Sequence, residues 1–165
     1  MGQEIYSPLL LAFTEKVEDN WNSVHLNEFS GMDKSYSLPD NIAIITLQDL
    51  GDGNVLLRLA HLYEVGEDKD LSTITNVDLN KVFPNKKIIE IKEMSLSANQ
   101  ERAEMEKKKL IWNVEGPVSA DTLKGGAVDP SKALVELAPM EIRTFIIKFL
   151  KLSSVTNLAK KANCK

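Results

Sequence analysis

Apolar residues in this chain fall in short, β-branched runs between turn residues, and some runs alternate in part between two faces. That pattern predicts strands rather than helices. Residues 41–47 (NIAIITL) follow the breaker Leu38-Pro39-Asp40 and read as a strand buried on both faces. Gly51-Asp52-Gly53-Asn54 supplies the residues that tolerate the positive φ of a tight turn. Beyond it, Val55, Leu57, Leu59, His61, Tyr63 and Val65 take one face of a strand, and Leu56, Arg58, Ala60, Leu62 and Glu64 take the other. Two such runs across that turn predict an antiparallel hairpin, closed by the polar loop 66–70. Further strands are expected at 87–96, 110–114, 134–137 and 142–149, with a flexible loop at 122–127. In the last of these strands Ile142, Thr144 and Ile146 alternate with Arg143, Phe145, Ile147 and Phe149.

Two segments compete for helix. Residues 98–109 (ANQERAEMEKKK) are strong helix formers, but Ala98, Ala103 and Met105 are too few for a stripe facing a core. The segment reads as a polar loop with a helical turn on the rim. Leu152, Val155, Leu158, Ala159 and Ala162 have helical spacing near the end, over a length marginal for an isolated helix. Short strands separated by turn signals predict an all-β fold, an antiparallel β-sandwich. The sandwich is expected over residues 6–150, with a disordered start at 1–5 and a flexible or short helical basic tail at 151–165.

Composition narrows the function classes. The 165 residues are 43% hydrophobic and 27% charged, with a net charge of −4, which favours one folded domain over a disordered chain. Mild acidity argues against nucleic acid as a partner, and no apolar run reaches the roughly 20 residues of a membrane span. The lone cysteine, Cys164, leaves no internal disulfide. With only His25 and His61 as histidines, a metal site would have to lean on carboxylates. Residues 151–165 carry four lysines and no acid, a basic tail that reads as solvated or as a weak membrane-surface contact. The start has no basic region before its short apolar run, so it does not read as a signal peptide.

Three ordered motifs go further: Val55–Asp68 (VLLRLAHLYEVGED), Leu96–Gln100 (LSANQ) and Leu137–Phe145 (LAPMEIRTF). With residues 38–47 and 78–83, they resemble the C-terminal β domain of the lysosomal and vacuolar class II α-mannosidases, family thirty-eight of the glycoside hydrolases, and plant members in particular. The resemblance covers residues 6–149. It implies a parent enzyme that hydrolyses α-mannosides in N-glycan turnover by a zinc-dependent retaining mechanism. It also implies a vacuolar, lysosomal or extracellular location for that enzyme. Zinc and the nucleophile belong to a catalytic barrel with no counterpart here, and neither His25 nor His61 sits in the family's His-x-Asp context. The chain is therefore expected to hold no catalytic, cofactor-binding or metal-binding residue, and its partner is expected to be that barrel.

The candidate site is a contact surface for the barrel, formed by Arg58, His61, Glu64, Glu67 and Asp68. On a strand Arg58 and Glu64 share a face and His61 lies on the other, so His61 and Glu64 cannot chelate together. The competing reading is that these charges only solvate a sheet face. An alternative function is a stand-alone carbohydrate- or protein-binding β-sandwich module, in which Trp21 or Trp112 would stack on a sugar ring; core packing competes with that role for both.

Overall fold

The computed structural model describes residues 11–13, 30–110 and 123–150. The chain divides into two units, Met1–Ser30 and Gly31–Lys165. Of the first, residues 11–13 and Ser30 are described, with Leu11 and Phe13 exposed. The second unit holds all the strands and helices among the described residues. Trp21, His25, Trp112, Cys164 and the tail 151–165 lie outside the described residues.

Six strands and two short helices run in the order β1 (Ile42–Gly51), β2 (Asn54–His61), β3 (Thr75–Asp78), α1 (Leu79–Val82), β4 (Ile88–Met94), α2 (Arg102–Lys107), β5 (Leu134–Leu137) and β6 (Ile142–Phe149). One sheet has the order β1-β2-β6-β4 and a second pairs β3 with β5. Every pairing is antiparallel, as the alternating runs predict. The expected hairpin is present: Gly51 pairs with Asn54 and Ile42 with His61.

The core lies between the sheets. Leu57, Leu59, Phe145 and Ile147 from the larger sheet meet Val77, Val135 and Leu137 from the smaller, and all seven are fully buried. α1 adds Leu79 and Val82 to this core. Its first turn is capped by Asp78, whose carboxylate accepts from the Asn80 N–H at 3.0 Å. Phe83 then packs edge-on against Phe149, with ring centroids 5.0 Å apart.

Several expectations need correction. β1 is not buried on both faces: Ile42 and Ala43 are buried, but Ile45, Leu47 and Leu50 are exposed. The reason is position, because β1 is an edge strand and only its first residues are covered. β2 lies inside the sheet, between β1 and β6, and Leu56 and Ala60 on its second face are buried as well. It also stops at His61 rather than Val65. Past the last ladder bond, from the Leu62 N–H to the Asn41 carbonyl, the His61 ring takes the Tyr63 N–H and the Glu67 carboxylate takes the Glu64 N–H. In β4 the register shifts between Ile88 and Glu90, so Ile88 and Ile91 reach the core while Ile89 is exposed. The 98–109 segment forms α2, which buries none of its residues, on the rim as expected. β3 and α1 have no counterpart among the expected elements. Of the expected strand 110–114, Leu110 is exposed outside any strand and the rest is not among the described residues.

Among the described residues, Thr144 has the one buried side-chain polar atom without a hydrogen-bond partner, its hydroxyl. It stands between Arg58 and Met94 on the face away from the core and is 1% exposed. Thr144→Val keeps the shape and removes the unpaired hydroxyl, so it is expected to raise stability by about 1 kcal/mol. Urea unfolding checks this, and a loss of stability would reveal a partner for the hydroxyl.

Candidate functional site

Two charged residues fall in phase with the apolar, core-facing side of the larger sheet. Glu93 on β4 lies opposite Phe145, and Arg143 on β6 lies opposite Leu59. A lone charge there would be strongly unfavourable. Arg143, 1% exposed, meets the Glu93 carboxylate with both arms of its fork, Nε to Oε1 at 2.8 Å and Nη2 to Oε2 at 2.7 Å. Its remaining arm, Nη1, donates to the carbonyls of Glu136 at 2.6 Å and Gly126 at 2.9 Å. Arg143 thus ties β4, β5, β6 and the 123–127 loop together. The guanidinium also lies 5.5 Å from the centroid of Phe145, two residues along the same face.

A second arginine closes the cluster. Arg102, at the start of α2, donates to Glu93 Oε1 at 2.5 Å and lies 3.5 Å from Glu141 Oε1. The other Glu141 oxygen accepts from the backbone N–H groups of Gly125 at 2.9 Å and Ala138 at 3.1 Å. Burial alone would raise the pKa of Glu93, but the hydrogen bonds and charges of Arg143 and Arg102 outweigh it and hold Glu93 below its ordinary 4.5. Neither carboxylate is placed as a general acid or base: each is spent on an arginine, and Glu141 on backbone as well. The cluster is a clamp. The loop at 123–127 is correspondingly pinned rather than flexible, and a Cβ at Gly125 would collide with the Glu136 carbonyl oxygen.

The five residues singled out in the sequence do not gather into one patch. Arg58 Nε donates to the Leu96 carbonyl at 3.1 Å and Nη1 to Thr46 Oγ1 at 3.3 Å, bracing the far face of the sheet. His61 is buried. Its Nδ1 accepts from the Tyr63 N–H at 3.2 Å, which leaves Nε2 to donate to the Thr73 carbonyl at 2.9 Å. Glu64 and Glu67 are exposed in the turn beyond β2. Asp68 holds the next turn, accepting from the N–H groups of Asp70 at 2.8 Å and Leu71 at 2.9 Å. These contacts are all internal to the domain. Among the described residues no group of three or more histidine, cysteine or carboxylate side chains is placed to hold a metal.

β2 nonetheless leads to a surface with a different character. The His61 N–H donates to the Glu141 carbonyl and the Met140 N–H to the Tyr63 carbonyl, which docks the 138–141 turn onto the end of β2. Beside that turn a cavity of about 350 Å³ is lined by the clamp residues Glu93, Arg102, Glu141 and Arg143 together with exposed Leu96, Leu123, Met140 and Ile142. Apolar groups on a rigid ionic floor, at one end of a sandwich, have the make-up of a contact surface. Residue-level reading of the sequence missed this site because its members come from four separate segments.

Comparison with known proteins places the domain. Residues 41–145 match the family model described as the glycosyl hydrolases family 38 C-terminal beta sandwich domain. An alpha-mannosidase of Arabidopsis thaliana is 60% identical over 148 residues, covering 90% of this chain and 14% of its own length. The alpha-mannosidase of Canavalia ensiformis is 53% identical over 150 residues, covering 90% of this chain and 15% of its own length. The lysosomal alpha-mannosidase of Homo sapiens is 34% identical over 147 residues, covering 87% and 14%. The chain thus spans about one seventh of the length of these relatives.

Proposed function

Because this chain belongs to glycosyl hydrolase family 38 as its C-terminal β-sandwich domain, we propose that it supports the catalytic part of an α-mannosidase. The observation that carries the reading is the contrast in coverage: nearly all of this chain aligns with about one seventh of each relative. In this reading the catalytic barrel is the partner. It holds the zinc ion and the nucleophile of a retaining hydrolysis of α-mannosides from N-glycans, in the vacuole, the lysosome or outside the cell. The β domain supplies a rigid surface. The Arg143–Glu93 clamp supports this role, because it fixes loops at the end of the sandwich without offering a carboxylate for chemistry.

The 165-residue chain by itself is expected to hydrolyse an aryl α-mannoside no faster than buffer. Transition-state stabilisation needs a positioned nucleophile, acid and metal, and the described residues assemble none of the three. A chromogenic assay with and without zinc checks this, and zinc-dependent turnover by the pure chain would sink the reading. Saturable, local NMR shifts on adding mannose would instead favour a stand-alone sugar-binding module.

A further inference from the structure

We propose that Met140 is the anchor through which this domain seats on the remainder of the α-mannosidase polypeptide. The inference rests on the supporting role proposed above and assigns the surface that carries it.

The backbone of Ala138-Pro139-Met140-Glu141 makes a tight turn, closed by a 3.0 Å hydrogen bond from the Glu141 N–H to the Ala138 carbonyl. Proline at the second position and a positive φ at the third are the pattern of a type II turn, whose third position ordinarily takes glycine or asparagine. Here it is Met140, at φ 61°. A methionine in the left-handed region is strained, and the turn holds it there. Glu141 bonds the 125 and 138 amides, and the Met140 N–H bonds the Tyr63 carbonyl at 3.0 Å.

That strain gains nothing for the core. Met140 is 63% exposed. Glycine would make the same turn without strain, so the side chain answers to a contact outside the described residues. The neighbours point the same way. Leu96 is 59% exposed, Leu123 52% and Ile142 44%, and all three share the cavity beside Met140. An unbranched, polarizable side chain that shares its cavity with Leu96, Leu123 and Ile142, between the ionic clamp and the charged rim of Glu106, Lys109 and Lys124, suits insertion into a partner pocket.

The relatives indicate the occupant. About six sevenths of each relative's length lies outside the aligned segment, on the same polypeptide. A contact between parts of one chain starts at high effective concentration and needs only a modest surface of this kind.

The test places residues 31–150 in the alpha-mannosidase of Canavalia ensiformis, in exchange for its own aligned segment, and compares this full-length chimera with the 165-residue chain. By hydrogen exchange, peptides covering 95–99, 123–127 and 138–142 should exchange at least about tenfold more slowly in the chimera. Met140→Gly should raise the Tm of the 165-residue chain by about 2–4 °C, through relief of backbone strain, and should lower the Tm of the chimera. A rise in both proteins overturns the anchor. Protection confined to another face, such as the exposed side of β1, overturns this surface and leaves the supporting role standing. Protection on no face of the domain overturns the supporting role as well. A concentration-dependent dimer of the 165-residue chain that Met140→Gly dissociates would make a second copy the occupant and also overturn the proposal.

Discussion

Arg143→Ala is expected to cost about 3–5 kcal/mol of unfolding free energy, the usual loss when one partner of a buried ion pair is removed. Removing the guanidinium strips Glu93 of its two-armed partner and takes the donor from the Glu136 and Gly126 carbonyls. Arg102 still reaches Glu93 from the rim, so the carboxylate keeps one charge partner. The same variant should change the response to acid. Because the folded domain holds Glu93 below its ordinary pKa, the carboxylate stabilises the fold fully above its unfolded value near 4.5. That stabilisation is lost as the pH falls through the depressed folded value. Without Arg143 the depression shrinks and the acid limb moves to higher pH. Urea unfolding across pH 3–7 reads both effects, and a loss below about 0.5 kcal/mol at neutral pH would assign the pair no structural weight.

Leu57→Ala and Phe145→Ala are each expected to cost about 3–5 kcal/mol, at the upper end for truncation in a core. The two residues face each other across the β2–β6 ladder at 0% exposure. Neighbouring strands and the smaller sheet hold the surrounding backbone in place, so the cavity cannot collapse freely. As direct neighbours the two substitutions should not add: the double variant should lose less than the sum of the single losses. Guanidinium unfolding of the three variants measures this. Additivity within about 0.3 kcal/mol would mean that the side chains do not share one packing site.

The sequence revealed elements where local chemistry decides them. Gly51 and Gly53 take φ values of 81° and 79°, so the hairpin could be read from its turn. β6 could be read from its alternation, and β5 from a short apolar run between turn residues. β3 could not, because Val77 is its one apolar residue and its pairing with β5 is set far along the chain; α1, a single turn, is too short for a helical period to show. The exposure of β1 was also illegible: apolar content marks a strand, and only sheet order tells whether it is central or at an edge. The clamp did leave a trace. Arg143 falls in phase with Phe145, Ile147 and Phe149, and Glu93 in phase with Ile91, so opposite charges occupy two faces that should be apolar. Pairing them requires knowing that β4 and β6 are neighbours, and 50 residues separate the two. The resemblance to a mannosidase domain located the family but directed attention to the Arg58–Asp68 run, whose side chains the fold uses mainly on itself.

The order of strands in the larger sheet has a consequence for how the chain is made. β2 lies between β1, its hairpin partner, and β6, which is synthesised about ninety residues later, with Asn54 pairing with Lys148. An isolated two-stranded hairpin is at best marginally stable in water. Until residues 142–149 have emerged from the ribosome, Leu57 and Leu59 lack the strand that covers them, and β4 has no neighbour in the sheet. Such non-local pairing makes folding slow, and the waiting chain exposes β-branched segments prone to aggregate. Closure of the larger sheet therefore waits for β6, the last strand among the described residues, and a ribosome that stalls before Ile142 leaves a client for chaperones rather than a partly finished sandwich.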